Sequence, residues 1–146
     1  MKLKSKHFLI SSIVIFIISL ILPVHLILDN FADYYTSDNE TEYLGFAYLI
    51  LGYMTILELP VDFICWLGNF TLLLGWIFYR KKIGIILGMF TFFQMSLYSI
   101  NHIFELDFME IKEYNTLLFG YWFWLLSAIL LVITTLSHYN TKKSNT

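Results

Sequence analysis

Charged side chains are scarce in this chain. They make up 14% of its 146 residues, and arginine occurs once, at Arg80. Soluble domains carry about 25% charged residues, so the composition excludes an ordinary water-exposed surface. Cysteine is nearly absent as well. Cys65 stands alone, which excludes an intrachain disulfide and a cysteine metal centre. It reads as a small apolar packing residue rather than a reactive thiol, because a thiol in apolar surroundings is rarely ionised. Catalytic signatures are missing: there is no HExxH, no GxSxG and no glycine-rich phosphate loop. Ser96, Ser99 and His102 fall near one another, but nothing supplies the other roles that nucleophilic catalysis needs. The expectation is a non-enzymatic protein with no cofactor. Basic clusters hold three residues at most, too few for a nucleic-acid footprint.

What is present is apolar. The chain is 58% hydrophobic and 19% aromatic, with a mean hydropathy of +0.69. A protein of this size cannot hide that much apolar surface from water, and lipid is its natural solvent. Residues 61–79 (VDFICWLGNFTLLLGWIFY) are followed directly by Arg80, Lys81 and Lys82. As a helix this stretch is roughly 28 Å long, close to the ~30 Å hydrocarbon thickness of a bilayer. Residues 8–28, 83–104 and 116–137 make three more runs of spanning length. The first follows a basic start, but it is longer than the ~7–15 residues of a signal-peptide core and ends in no small-residue cleavage site, so it reads as a retained span.

Residues 44–57 are apolar, carry Gly45 and Gly52, and are stopped by Pro60. They read as a short interfacial or re-entrant helix, because a fifth span would put Arg80, Lys81 and Lys82 on the outer side. The expected fold is thus all-α: a single-domain integral membrane four-helix bundle with this short extra helix and a flexible tail at 138–146. Under that arrangement eight of the nine Lys and Arg fall on one side, and all eleven Asp and Glu on the other. The positive-inside rule then places both termini in the cytoplasm. Ile, Phe, Asn and Lys are abundant and Ala occurs three times, which fits an AT-rich bacterial genome and hence a bacterial cytoplasmic membrane. Tyr121, Trp122 and Trp124 read as anchors at the outer interface.

Lipid supplies no hydrophobic drive between helices, so small residues must let them approach. Each expected span carries small or weakly polar residues seven apart: Ser12 and Ser19; Gly68 and Gly75; Gly84 and Thr91; Gly120, Ser127 and Thr134. That spacing keeps one seam facing a neighbour. Gly84 and Gly88 also form a GxxxG pattern, open to use within one chain or between two copies. Asn69 and Gln94 sit near the centre of their spans, where an unpaired amide is costly. They read as structural hydrogen-bonding groups, to each other, a backbone or a serine; the sharper reading is a substrate or ion ligand.

Several ionisable residues fall at the outer ends of the spans. His25 and Asp29, and Glu58 and Asp62, are four apart, while His102 and Glu105 are three apart. Such a layer suits a divalent cation or a pH-sensitive contact, but the spacing matches no closed ligand motif, and no metal is expected.

Leu22-Pro23, Leu44-Gly45, Leu51-Gly52, and then Trp66-Leu67-Gly68-Asn69 with Trp76 and the late Tyr121-Trp122-Phe123-Trp124 cluster resemble a set of small, uncharacterised bacterial four-span membrane proteins with a Trp-Leu-x-Asn motif in the second span. Phe70 stands where those proteins often carry proline. The resemblance implies architecture and marks Trp66 and Asn69 as the positions to test first; together with Trp76 and Gln94 they make up the expected packing or partner site. The function expected is an accessory or immunity-type protein that binds a membrane partner. The alternative is a small oligomeric transporter or channel for ions or small solutes.

Overall fold

A computed structural model describes residues 2–28, 40–56, 60–104 and 116–143. The chain is essentially all-α, with helices α1 (Lys2–Ile21), α2 (Gly45–Leu51), α3 (Pro60–Ile77), α4 (Lys82–Phe104) and α5 (Phe119–Lys143), and one 3-10 turn, Gly52–Ile56, continuing α2. A small antiparallel sheet joins them, with strands β1 (Pro23–Leu28), β2 (Glu40–Leu44) and β3 (Thr116–Leu117) in the order β2-β1-β3.

The sheet corrects the sequence reading of the first span. Residues 23–28 are strand and not the end of a helix. Pro23 has no N–H to continue the helical ladder and keeps Leu22 out of the α region, so α1 closes at Ile21 and the apolar run changes conformation without changing composition. β1 pairs with β2 from Pro23 opposite Leu44 to Leu28 opposite Glu40, and Leu26 also faces Thr116 of β3. For the same reason α5 begins at Phe119 rather than at residue 116. At its other end α5 continues to Lys143, through the start of the expected tail.

Long helices pack in the order α1–α5–α4–α3. α1 runs antiparallel to α5: Ser12 meets Ser127, and Gly120 lies under the carbonyls of Leu22 and Pro23. α3 and α4 are joined by a tight turn in which the Lys81 and Gly84 amides donate to Phe78 and Lys81 carbonyls at 2.8 and 2.9 Å. A Cβ at Gly84 would collide with the Phe78 carbonyl. The Tyr79 ring touches His138 near the end of α5. The start of α1, the 80–82 turn and the end of α5 therefore share one end of the molecule, and with them the chain's basic clusters.

The distribution of polarity is inverted. Ser5, Ser12, Ser19, Asn69, Thr91, Gln94, Ser127, Thr134 and Thr135 are buried, while Val14 and Ile17 of α1, Phe70 and Leu73 of α3, Ile86 and Phe93 of α4, and Leu126 and Ile133 of α5 are exposed. In water this arrangement leaves contiguous apolar surface unpaired on every side; in lipid it satisfies both faces. α3, α4 and α5 are long and apolar enough to cross a membrane, and the apolar part of α1, Ser5–Ile21, is shorter.

All nine residues of the seven-residue seams are buried. Gly68 packs against Met95, Gly75 against Leu131, and Gly88 against Val132 and Leu131, so the GxxxG pair is occupied within the chain. Two apolar clusters fill what remains: Phe16, Leu72, Met95, Ala128 and Leu131 toward the basic end, and Val24, Cys65, Tyr98 and Tyr121 toward the sheet.

A Cβ at Gly75 would fall 2.5 Å from Leu131 Cδ2. Gly75→Ile is therefore expected to destabilise the protein by about 1–3 kcal/mol through overpacking. Thermal unfolding in detergent reads the loss, and adding Leu131→Ala is expected to restore part of it.

Candidate functional site

The site begins with the two glycines of the short helix. α2 bridges the gap between α1 and α3 at the sheet end of the molecule. Its start rests on α1, where the Gly45 amide donates to the Leu22 carbonyl at 3.1 Å and a Cβ at Gly45 would run into the Ser19 carbonyl. Past its other end Gly52 lies flat against the Trp66 indole of α3, where a Cβ would overlap the ring. Trp66 fixes the contact by donating from Nε1 to the Leu49 carbonyl at 2.9 Å. Phe63 stacks on Trp66 at 5.6 Å and Phe70 meets it edge-on at 4.9 Å.

Under this roof lies a cleft lined by Ser19 and Leu20 of α1, Tyr48 and Leu49 of α2, Asp62, Cys65, Trp66 and Asn69 of α3, Tyr98 of α4, and Tyr121 and Trp124 of α5. Its interior room is about 50 Å³, or about 550 Å³ with its open mouth included. A drug-sized ligand needs about 300–1,000 Å³ of pocket, so the interior suits a small group.

Asn69 forms the floor. Trp124 Nε1 donates to Asn69 Oδ1 at 2.8 Å, and Asn69 Nδ2 donates to the Trp66 carbonyl at 2.9 Å. An indole N–H only donates and a carbonyl only accepts, so these partners fix the amide's orientation and require a side chain with both functions. The contact ties α3 to α5. Gln94 does not reach Asn69. It lies on the α3–α4 seam, where Thr71 donates to its Oε1 at 2.8 Å and its Nε2 reaches the Ile64 carbonyl at 3.3 Å. Thr91 donates in turn to Thr71 at 2.9 Å. Thr71 has one proton and also lies 3.0 Å from the Gly68 carbonyl. That carbonyl already has its helical partner, so the amide oxygen is the better acceptor.

Trp76 belongs to a different junction, deeper in the molecule. Its Nε1 donates to Ser12 Oγ at 3.0 Å, and Ser12 donates to the Ser127 carbonyl at 2.7 Å. Its ring meets Phe16 edge-on at 5.4 Å. Of the four residues marked in the sequence as a packing or partner site, Trp66 and Asn69 thus share the cleft, while Trp76 and Gln94 hold helix seams.

Asp62 also lines the cleft, in the first turn of α3, where the helix N-terminus favours a negative charge. The rest of the expected outer layer is only partly placed. His25 is in β1 and His102 in the last turn of α4, with only their backbones described. Asp29, Glu58 and Glu105 lie outside the described residues. Among the described residues no three His, Cys, Asp or Glu side chains gather as a metal site.

Tyr48, Tyr98, Tyr121 and Trp124 are cleft residues that the sequence reading did not assign to a site. Tyr98 approaches Tyr48 hydroxyl to hydroxyl at 3.4 Å, and Tyr121 donates to the Met95 carbonyl at 3.2 Å. Tyr121 and Trp124 turn inward rather than anchoring at the interface; Trp122 between them is exposed. The usable signal is helical: 121, 124, 128 and 131 fall on one face, and Ala128 and Leu131 on it are fully buried.

No protein-family model, curated protein or solved structure matches this chain.

If the Asn69–Trp124 bond joins the two helices, a double-mutant cycle on Asn69→Ala and Trp124→Phe should return a coupling of about 0.6–1.7 kcal/mol. The measurement is equilibrium unfolding in detergent, and additive effects would assign the bond no share in holding α3 to α5.

Proposed function

We propose that this is a non-enzymatic protein of a bacterial cytoplasmic membrane that binds a partner within the bilayer, as an accessory or immunity-type subunit. In this reading the four long helices form a four-span bundle, with α1 as the first span, α2 and the sheet at the outer surface, and both termini in the cytoplasm. The inverted polarity of α1 supports its placement: Ser5, Ser12 and Ser19 are buried, Ser12 against α5, while Ile10, Val14 and Ile17 are exposed. The shared position of the three basic clusters supports the orientation.

The observation that carries the functional reading is the pairing of the deep polar groups. Asn69 bonds Trp124 and the Trp66 carbonyl, and Gln94 bonds Thr71 and the Ile64 carbonyl. A transport path needs such groups turned toward a water-filled route; here they are spent on joining helices. Recognition then falls to the outer face of the molecule, where Trp66 fixes α2 and shapes the cleft. The transporter or channel reading draws on the acid-bearing cleft alone.

Gentle-detergent purification of a tagged copy from its native host, followed by intact-mass analysis, tests the function. A stoichiometric second polypeptide is expected, and Trp66→Leu is expected to release it while the helices stay folded. A homo-oligomer carrying no other chain would contradict the partner reading and favour a pore. Reporter fusions test the orientation: green fluorescent protein should fluoresce, and alkaline phosphatase should stay inactive, at either terminus.

A further inference from the structure

The end of the molecule away from the sheet carries charge of one sign. Arg80, Lys81 and Lys82 are exposed there, and so is Lys6 near the start of α1. α1, the 78–81 turn, α4 and α5 contain no Asp or Glu. The one acid of α3, Asp62, stands in its first turn. Most of that helix separates it from Arg80, more than ~20 Å at a rise of ~1.5 Å per residue, and charges in physiological salt are screened beyond ~8 Å. The cations of this end therefore have no carboxylate of the helices to pair with.

Two of these cations are held in place by rings. Arg80 Nε donates to the Tyr79 hydroxyl at 2.7 Å, with the guanidinium carbon 5.2 Å from the ring centre. Tyr79 is braced in turn by His138 of α5, ring to ring at 5.9 Å. Lys81 Nζ lies 5.1 Å from the centre of the Phe78 ring. The bond to Tyr79 uses one of the guanidinium N–H groups, and four remain for a ligand. Tyr79 accepts in that bond, so its own hydroxyl proton is left to donate. Apolar surface starts at once on both sides of the turn: Ile77 is 69% exposed and Ile83 50%.

We propose that the 78–82 turn seats the phosphate of an anionic phospholipid, with Arg80 as the main contact, Tyr79 and Lys81 beside it, and the acyl chains laid against Ile77 and Ile83. A guanidinium presents paired N–H groups that match phosphate oxygens. Free phosphate or a nucleic acid would meet the charge but leave the isoleucines uncovered, whereas a lipid answers both. A zwitterionic lipid brings a cation of its own toward Arg80, Lys81 and Lys82, so a headgroup of net negative charge fits better. The inference rests on the membrane placement of the helices and is independent of the partner-binding reading.

Phosphatidylglycerol and phosphatidylcholine are the probes. Each is titrated into the full-length protein in mild detergent, and native mass spectrometry reads the dissociation constant of the first lipid bound. Phosphatidylglycerol is expected to bind about tenfold more tightly or better. Arg80→Gln should weaken phosphatidylglycerol about fivefold, the worth of one basic residue at an anionic headgroup, and leave phosphatidylcholine unchanged. Because Arg80 is exposed, the variant should keep its melting temperature; should it unfold, Lys81→Gln carries the same test. Lys2→Gln with Lys4→Gln removes two charges from the same end and is expected to cost less than Arg80→Gln. Equal affinity for the two lipids, or no binding of either, would overturn the proposal. So would full phosphatidylglycerol affinity in a folded Arg80→Gln protein, or an equal loss in the Lys2 and Lys4 variant, which would assign the preference to net charge and not to the turn.

Discussion

Ser12 joins three helices with one hydroxyl. It accepts the indole proton of Trp76 from α3 and donates its own to the Ser127 carbonyl of α5, and it has no exposed surface at all. In lipid the ordinary reason for helices to associate is missing, because acyl chains are as apolar as leucine. What remains is close contact and the need of each polar group for a partner. The structure uses both. Small residues bring the helices near, and Ser12, Thr71, Asn69, Gln94 and Tyr121 then bond across the seams. Each bond is worth only about 1 kcal/mol, but a polar group left bare in hydrocarbon costs more than that. The contacts therefore select one arrangement of the helices more than they deepen its stability.

The inward-facing half of this logic was legible in the sequence. A seven-residue period of Ser, Gly and Thr is visible without coordinates, and its members are the buried ones. Asn69 stood out because an amide inside an apolar run needs a partner, and Trp66 because it opens the Trp-Leu-Gly-Asn motif. Which partners they find was not legible. Asn69 lies on the face of α3 that carries Cys65 and Leu72 and looks toward α5, whereas Ile64, Gly68 and Thr71 look toward α4 and meet Gln94 and Met95. One residue along a helix is a turn of about 100°, so two amides at similar depth serve different neighbours.

The other misreading has a plainer cause. Residues 23–28 are as apolar as the helix before them, and hydropathy carries no information on backbone conformation. Pro23 was the only marker, and it reads equally as a helix kink or a stop. Once the chain turns to strand there, it reaches back to meet β2 and the start of α5, and a sheet forms over the end of the helices. That sheet and α2 together make the cleft: Val24 of β1 is part of its lining, and α2 leads directly out of β2. The candidate site is thus built by the elements hardest to read, the short ones whose form depends on tertiary contacts, around residues of the long helices that were easy to mark.

The account stands or falls on whether all four long helices meet lipid with their apolar faces. Spin labels at Val14, Leu73, Ile86 and Ile129, each on the outward face of its helix, measure this directly in bilayers of a Cys65→Ala background, through collision with oxygen and with a water-soluble nickel complex. The account predicts high oxygen and low nickel accessibility at all four positions, with both low at Ser127. Nickel access at Val14 comparable to that of a water-exposed site would contradict it, leaving α1 outside the membrane and the interior serines without the reason given for them.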